Sequence, residues 1–198
     1  KISNELCSLR PNEDKLTFSV VFEISQEGKV VDYWIGKTII HSQKRFTYED
    51  AQEIIEGGNH VYKDEILTVH QISQQLRKEK FKEGAINFSS EEIRFRLNEL
   101  GKPVEVIIKK SQESHQLIEE LMLLANRTVS EYMSAARHQN KPIPFPYRVH
   151  DTPDLDKLHF FAAFAKRYGH RFDMTSPERI ASSFNLMIQN SANITEQE

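Results

Sequence analysis

Residues 84–133, GAINFSSEEIRFRLNELGKPVEVIIKKSQESHQLIEELMLLANRTVSEYM, constrain the fold more than any other stretch. Ala85–Phe88, Ile93–Asn98 and Val104–Lys109 read as strands. The Gly-containing turn at Leu100-Gly101-Lys102 joins the last two into a ribbon. The period then changes from two to 3.6: Leu117, Leu121, Leu124, Ala125, Val129, Tyr132 and Ala136 share one stripe. That stripe predicts a long helix starting near Ser111–Ser114 and reaching about Arg137.

The flanks extend this α/β pattern. Lys15–Ile24 alternates Leu16, Phe18, Val20 and Phe22 against Thr17, Ser19, Val21 and Glu23, a strand signal. Gln26-Glu27-Gly28-Lys29 is a turn and Val30–Ile40 a second β run, so the pair predicts an antiparallel hairpin. Thr47 caps a helix over Tyr48–Glu56, with Asp50 in the capping-box place and Gly57-Gly58 as the stop. A second helix is predicted over Lys63–Lys80, with Ile66, Val69, Ile72 (or Ser73) and Leu76 as its stripe. Its charged end, RKEKFKEG, is read as solvated.

Further on, Pro142, Pro144 and Pro146 forbid helix in KPIPFPYRVHDTP. Thr152 is placed to cap the next helix, with Pro153 at its first position and Gly169 at its end. Ser176-Pro177-Glu178 opens a last helix through about Gln189, before a polar tail read as frayed. The fold class expected is α/β (α+β): a mixed, largely antiparallel sheet flanked by helices.

Bulk properties narrow the function classes. At 198 residues with 12 Phe, the chain is long and aromatic enough to bury a core. A net charge of −3 excludes a broadly basic nucleic-acid protein, so any RNA contact must be local or completed by other polypeptide. The single Cys7 excludes an internal disulfide and a Cys-based zinc site, and fits a reducing, cytoplasmic compartment. No apolar run approaches the ~20 residues that cross a bilayer. The chain opens mid-phrase, at KISNELCSL, and is expected to be a segment of something longer.

The order of several phrases resembles the RNB catalytic domain of the ribonuclease II and ribonuclease R family of processive 3′→5′ exoribonucleases. SNELCSLRPNEDKL looks like the family phrase that follows a Met-Leu-Pro segment. IIHSQKRFTYEDAQEIIEG is similar to its "S…R-T-Y" helix entry, and RVHDTPDLDKLHFFAAFAKRYGH to its Arg-x-His-Asp-x-Pro entry. With residues 84–133 these cover the chain to about His170. The resemblance implies that residues 1–198 are an internal piece of one RNB domain, with hairpin, helices and strands over 1–110 and mainly helix over 111–198. It implies a parent enzyme that hydrolyses single-stranded RNA to nucleoside 5′-monophosphates with Mg²⁺. The family's metal-holding aspartate motif and its Thr-Ser-Pro-x-Arg-Arg-Tyr phrase do not occur in this chain. No catalytic or metal residue is therefore expected here, and the isolated piece is expected to be inactive. The parent is expected to be monomeric and non-membrane, and the piece to self-associate. The alternative is a non-catalytic RNA-binding or protein-interaction relative.

Two substrate-binding positions carry over from the resemblance. Phe88, in INFSSEE, aligns with the aromatic that stacks on the 3′-terminal base. Stacking suits sequence-blind trimming because every base has a π face. Glu119, in LIEELMLLAN, aligns with an acid that contacts the last sugar, where a carboxylate accepts from ribose hydroxyls. Asn126, two turns further on the same face, extends that lining. From the residues alone, Phe88 reads as core, and Glu119, with Glu113 and Glu120, as acid at the positive end of a helix.

Other clusters read as structural. His150, Asp151, Asp154 and Asp156 lack the spacing of a calcium loop and suit a helix N-terminus. His159, on an aromatic-rich helix, is read as buried and hydrogen-bonded. Arg94 and Arg96 share a strand face and are read as a wetted surface, with cross-strand pairing to Glu105 and a phosphate contact as the alternatives.

Overall fold

The computed structural model describes residues 2–25, 27–87, 92–109 and 111–195. Two compact units emerge: residues 1–76 with 112–145, and residues 77–111 with 146–198. Phe88 lies outside the described residues, as do Lys110 and the side chain of Arg94.

In the first unit, Ile2–Leu6 forms one wide turn, closed by the Cys7 amide donating to the Ile2 carbonyl at 3.0 Å. Strand β1 (Asp14–Ile24) pairs antiparallel with β2 (Val30–His41), the predicted hairpin. Gly28 sits in its turn at φ +77°, where a side chain would be strained. Thr17, Ser19 and Thr38 bring three hydroxyls within 2.6–3.1 Å of one another on one ribbon face. His41 and Asp14 close the open end at 2.7 Å.

Helix α1 (Tyr48–Ile55) starts as its sequence predicts. The Thr47 hydroxyl accepts from the Asp50 amide at 3.0 Å, and the Asp50 carboxylate accepts from the Thr47 amide at 3.2 Å. It stops at Gly57, φ +115°, where the Gly58 amide reaches the Glu53 carbonyl and the Gly57 amide the Ile54 carbonyl. Helix α2 (Lys63–Lys82) follows; its residues through Leu76 belong to the first unit and those from Arg77 to the second. Ser73 takes the buried place on its stripe, its hydroxyl donating back to the His70 carbonyl at 2.7 Å.

Helix α3 (Glu113–Ala135) is the long predicted helix. It packs on α1, where Ile54 and Leu117 are both buried. Leu121, Leu124 and Val129 are half-buried, while Tyr132 is exposed. Arg137–Pro142 turns back as a small hairpin, β5 (Arg137–His138) with β6 (Lys141–Pro142). Its turn residues, Gln139 and Asn140, both have positive φ. The sequence reading missed this hairpin because its strands are two residues long and its turn carries Asn but no Gly.

In the second unit, β3 (Glu92–Leu97) and β4 (Pro103–Lys109) form the expected ribbon, with Arg96 opposite Glu105 and their side chains 2.6 Å apart. Arg96 thus takes the cross-strand pairing, the alternative to a merely wetted face, on an exposed surface. Ala85–Asn87 is not a strand. Its Ala85 amide donates to the Lys80 carbonyl at 3.2 Å, and one side chain serves two further backbone groups: Asn185 accepts from the Asn87 amide at 2.8 Å and donates to the Ala85 carbonyl at 2.9 Å. An amide side chain presents the same donor and acceptor as a neighbouring strand, so the β-type residues are served without a sheet.

Helix α4 (Leu155–Lys166) is capped by Asp154, not Thr152. The Asp154 carboxylate accepts from the amides of Asp156 and Lys157 at 3.0 and 3.2 Å, leaving Pro153 outside the helix. Gly169 ends it, as predicted. His159 is exposed rather than buried, since Phe161 and Ala165 take the packed side. Phe161 meets Phe172 and Phe184 at 5.4 Å each, a three-ring core. Helix α5 (Pro177–Thr195) runs past the predicted end near Gln189. Among the described residues the strands form three separate two-stranded antiparallel ribbons, in an α/β chain. No helix among them is long and apolar enough to cross a membrane.

Candidate nucleic-acid interface

Helix α3 is anchored before it presents anything. The Ser114 amide donates to the Gln52 side-chain oxygen at 3.0 Å in a buried contact, tying its first turn to α1. Glu113 stands in that first turn, 3.6 Å from the His70 ring nitrogen. The helix-dipole reading therefore fits Glu113 alone, because the effect fades beyond the first turn.

Adjacent carboxylates on α3 have opposite fates. Glu120 is 3% exposed, whereas Glu119 faces solvent. A helix turns 100° per residue, so the packing that buries Leu117 and Glu120 turns Glu119 outward. Met122, Leu123 and Asn126 are exposed along the same side. This face offers a carboxylate acceptor, an amide and apolar surface together, a set able to hold a sugar and a base. Phe88, the other expected binding residue, lies outside the described residues. The segment leading to it, Ala85–Asn87, is pinned by Asn185.

The sequence reading missed a cleft of about 810 Å³ in the first unit. The chain from Gln43 to Thr47, the start of α1, the first half of α2 and the start of α3 enclose it. Tyr48, Ile66 and Leu117 give it an apolar wall, and Lys44 and Arg45 bring positive charge. The Tyr48 ring lies flat on His115, centroids 4.0 Å apart at 11°. Phe46 stands edge-on to His60 and Tyr62 at 5.1 and 6.2 Å, with the Lys44 ammonium 5.7 Å from its centroid. The only signal for this cleft was the spacing of aromatic and basic residues through KRFTY, which does not by itself distinguish a wall from a core.

Titration here is governed by capping. The Asp50 carboxyl is held below its ordinary range by the Thr47 hydroxyl first and the Thr47 amide second. Asp50 and His60 also line a smaller recess of about 190 Å³ with Lys44. Among the described residues no group of three or more His, Cys, Asp or Glu side chains is placed to hold a metal ion.

The RNB domain family matches this sequence over residues 1–197. The chain belongs to the RNB family. It is 34% identical over 185 residues to "Ribonuclease R 1" of Lactococcus lactis, covering 89% of this chain and 22% of that protein. It is 31% identical over 205 residues to "Inactive exonuclease DIS3L2" of Arabidopsis thaliana, covering 96% of this chain and 19% of that one. The chain thus spans about a fifth of the length of these curated relatives. Among solved structures it superposes on Mycoplasma genitalium RNase R in complex with ribose-methylated single-stranded RNA with a TM-score of 0.82 at 24% identity, covering 96% of this chain and 30% of that one. That likeness is one of fold.

Proposed function

We propose that this chain works as part of a 3′→5′ exoribonuclease that shortens single-stranded RNA processively to nucleoside 5′-monophosphates. In this reading it supplies part of an RNA channel and has no activity alone. Membership of the RNB family over residues 1–197 carries the proposal. On α3, Glu119 accepts hydrogen bonds from ribose hydroxyls while Met122 and Leu123 give apolar contact. Phe88 stacks on a base near the 3′ end. In the cleft, Lys44 and Arg45 meet phosphate and the Tyr48 wall meets a base. Mg²⁺ is the cofactor proposed for the whole enzyme, held by residues other than those described. The proposed setting is a monomeric parent in the cytoplasm.

The second reading is a non-catalytic RNA-binding relative; the inactive plant protein matches across nearly the whole chain at 31% identity, equally with a DIS3-like exonuclease 2 of the same plant. One experiment separates them. End-labelled single-stranded RNA and Mg²⁺ are given to the polypeptide that carries this chain and, separately, to residues 1–198 alone. Stepwise shortening from the 3′ end by the first and none by the second is the expected result. Tight binding without shortening establishes the non-catalytic relative, and absence of binding overturns both readings. Within an active parent, Glu119→Gln should raise KM for RNA several-fold, with a smaller change on a 2′-deoxy 3′ end.

A further inference from the structure

We propose that Gln52 is a positioning residue for RNA binding: from α1 it sets the rotation of α3 and so the aim of Glu119. Helix α3 follows Gln112, and glutamine is not among the side chains that cap a helix start well. The amides of a first turn have no carbonyl within their own helix to bond. The one on Ser114 takes its acceptor from another helix, the Gln52 side-chain oxygen 3.0 Å away, across 62 residues of sequence. The other end of Gln52 is used too, its amide group donating to the Glu56 carboxylate at 2.9 Å. Gln52 and Ser114 are 8% and 2% exposed, so water has little access to the bond between them.

An apolar side chain of similar size would fill the place of Gln52 without burying a polar group. What glutamine adds is direction. Packing around Ile54 and Leu117 is non-directional and tolerates rotation of one helix against the other. A hydrogen bond weakens steeply as its angle closes, so it resists that rotation. The bond also acts close to the RNA face. Glu119 lies five residues past Ser114, about 7.5 Å further along the axis. It is exposed, so the seating of its helix decides where it points. Turning α3 by roughly 20° would carry a side chain about 2 Å around a helix of ~5–6 Å radius. That is enough to break a hydrogen bond to a ribose hydroxyl.

The inference rests on the proposed ribose contact of Glu119 and is tested so that the two fail differently. With Mg²⁺ chelated, the polypeptide that carries this chain is titrated with an RNA oligomer ending in ribose and with the same oligomer ending in 2′-deoxyribose. The ratio of the two Kd values reads the contact. Gln52→Met keeps the volume and removes both bonds. It should weaken binding of the ribose end roughly fivefold, the worth of about one hydrogen bond, and of the deoxy end less than about twofold. Loss of folded protein alone would scale both Kd values alike and leave the ratio unmoved. Gln52→Asn, one methylene too short to reach, should shift the ratio in the same direction, and it is the variant read if thermal melting shows the Met variant unfolded at the assay temperature. Glu119→Ala should shift the ratio by itself, and Gln52→Met should then add nothing, because both remove one contact. Gln52→Glu with Glu56→Gln keeps an acceptor for Ser114 and a donor between the two side chains, so its ratio should match wild type. An unmoved ratio in the folded Gln52 variants, or a shifted one in the exchanged pair, overturns the role of Gln52 while a shift in Glu119→Ala leaves the ribose contact standing. A ratio unmoved by Glu119→Ala overturns both.

Discussion

Single residues here do the work that the sequence reading assigned to larger parts. Asn185 is the clearest case. From nearly a hundred positions away it serves the Asn87 amide and the Ala85 carbonyl, beside the Lys80 carbonyl that accepts from the Ala85 amide and the Arg77 guanidinium that donates to the Asn87 side chain. Replacing it with Ala should cost about 1 kcal/mol, more from the part-buried bond to the Ala85 carbonyl than from the exposed one to the Asn87 amide. Asn185→Asp keeps the acceptor for the Asn87 amide but loses the donor and sets a carboxylate against the Ala85 carbonyl. Hydrogen exchange at the Asn87 amide should therefore quicken strongly in the Ala variant and much less in the Asp variant; equal rates in both would refute this account. Glu119 and Glu120 teach a related lesson. They share a chemistry and a helix turn, and only packing separates the exposed one from the buried one.

Elements behave as their end signals dictate. Helix α1 has both a capping box and a two-bond glycine stop, each read correctly from Thr47, Asp50, Gly57 and Gly58. Thr47→Ala should destabilise the protein by about 1 kcal/mol in chemical denaturation. The cap also carries a pH dependence of definite sign. Because the Asp50 carboxyl is held below its unfolded value, its stabilisation is present above the unfolded pKa. It is lost as pH falls through the folded pKa. Asp50→Asn still offers an oxygen to the Thr47 amide but does not titrate, so its stability should decline less across the acid range than wild type. An identical acid profile for the two proteins would remove Asp50 from the account. Helix α4 shows where end signals mislead. Thr152-Pro153 looks like cap and first position, but Asp154 offers a carboxylate to two amides, and a charged acceptor outcompetes a hydroxyl.

At the scale of the whole molecule, apolar surface is what stands out. Leu16, Phe18 and Ile39 are exposed on the first ribbon, and Ile93, Phe95, Val106 and Ile108 on the second. Two-stranded ribbons are marginal alone and gain stability only when one face is covered. The isolated 198-residue chain is therefore expected to self-associate, with scattering mass rising with concentration, and Phe95→Glu should reduce that rise. A monomer at every concentration would contradict it. The sequence by itself determined the hairpin, the capped helix α1, the β3–β4 ribbon and the long α3, because each rests on spacing between near neighbours, and the family, because its phrases keep their order along the chain. Tertiary structure alone decided that Asn185 replaces a strand, that Glu120 is buried beside an exposed Glu119, that His159 faces water, and that Tyr48 joins Lys44 and Arg45 around a cleft. Those outcomes depend on which surfaces meet across long loops, and local periodicity carries no record of them.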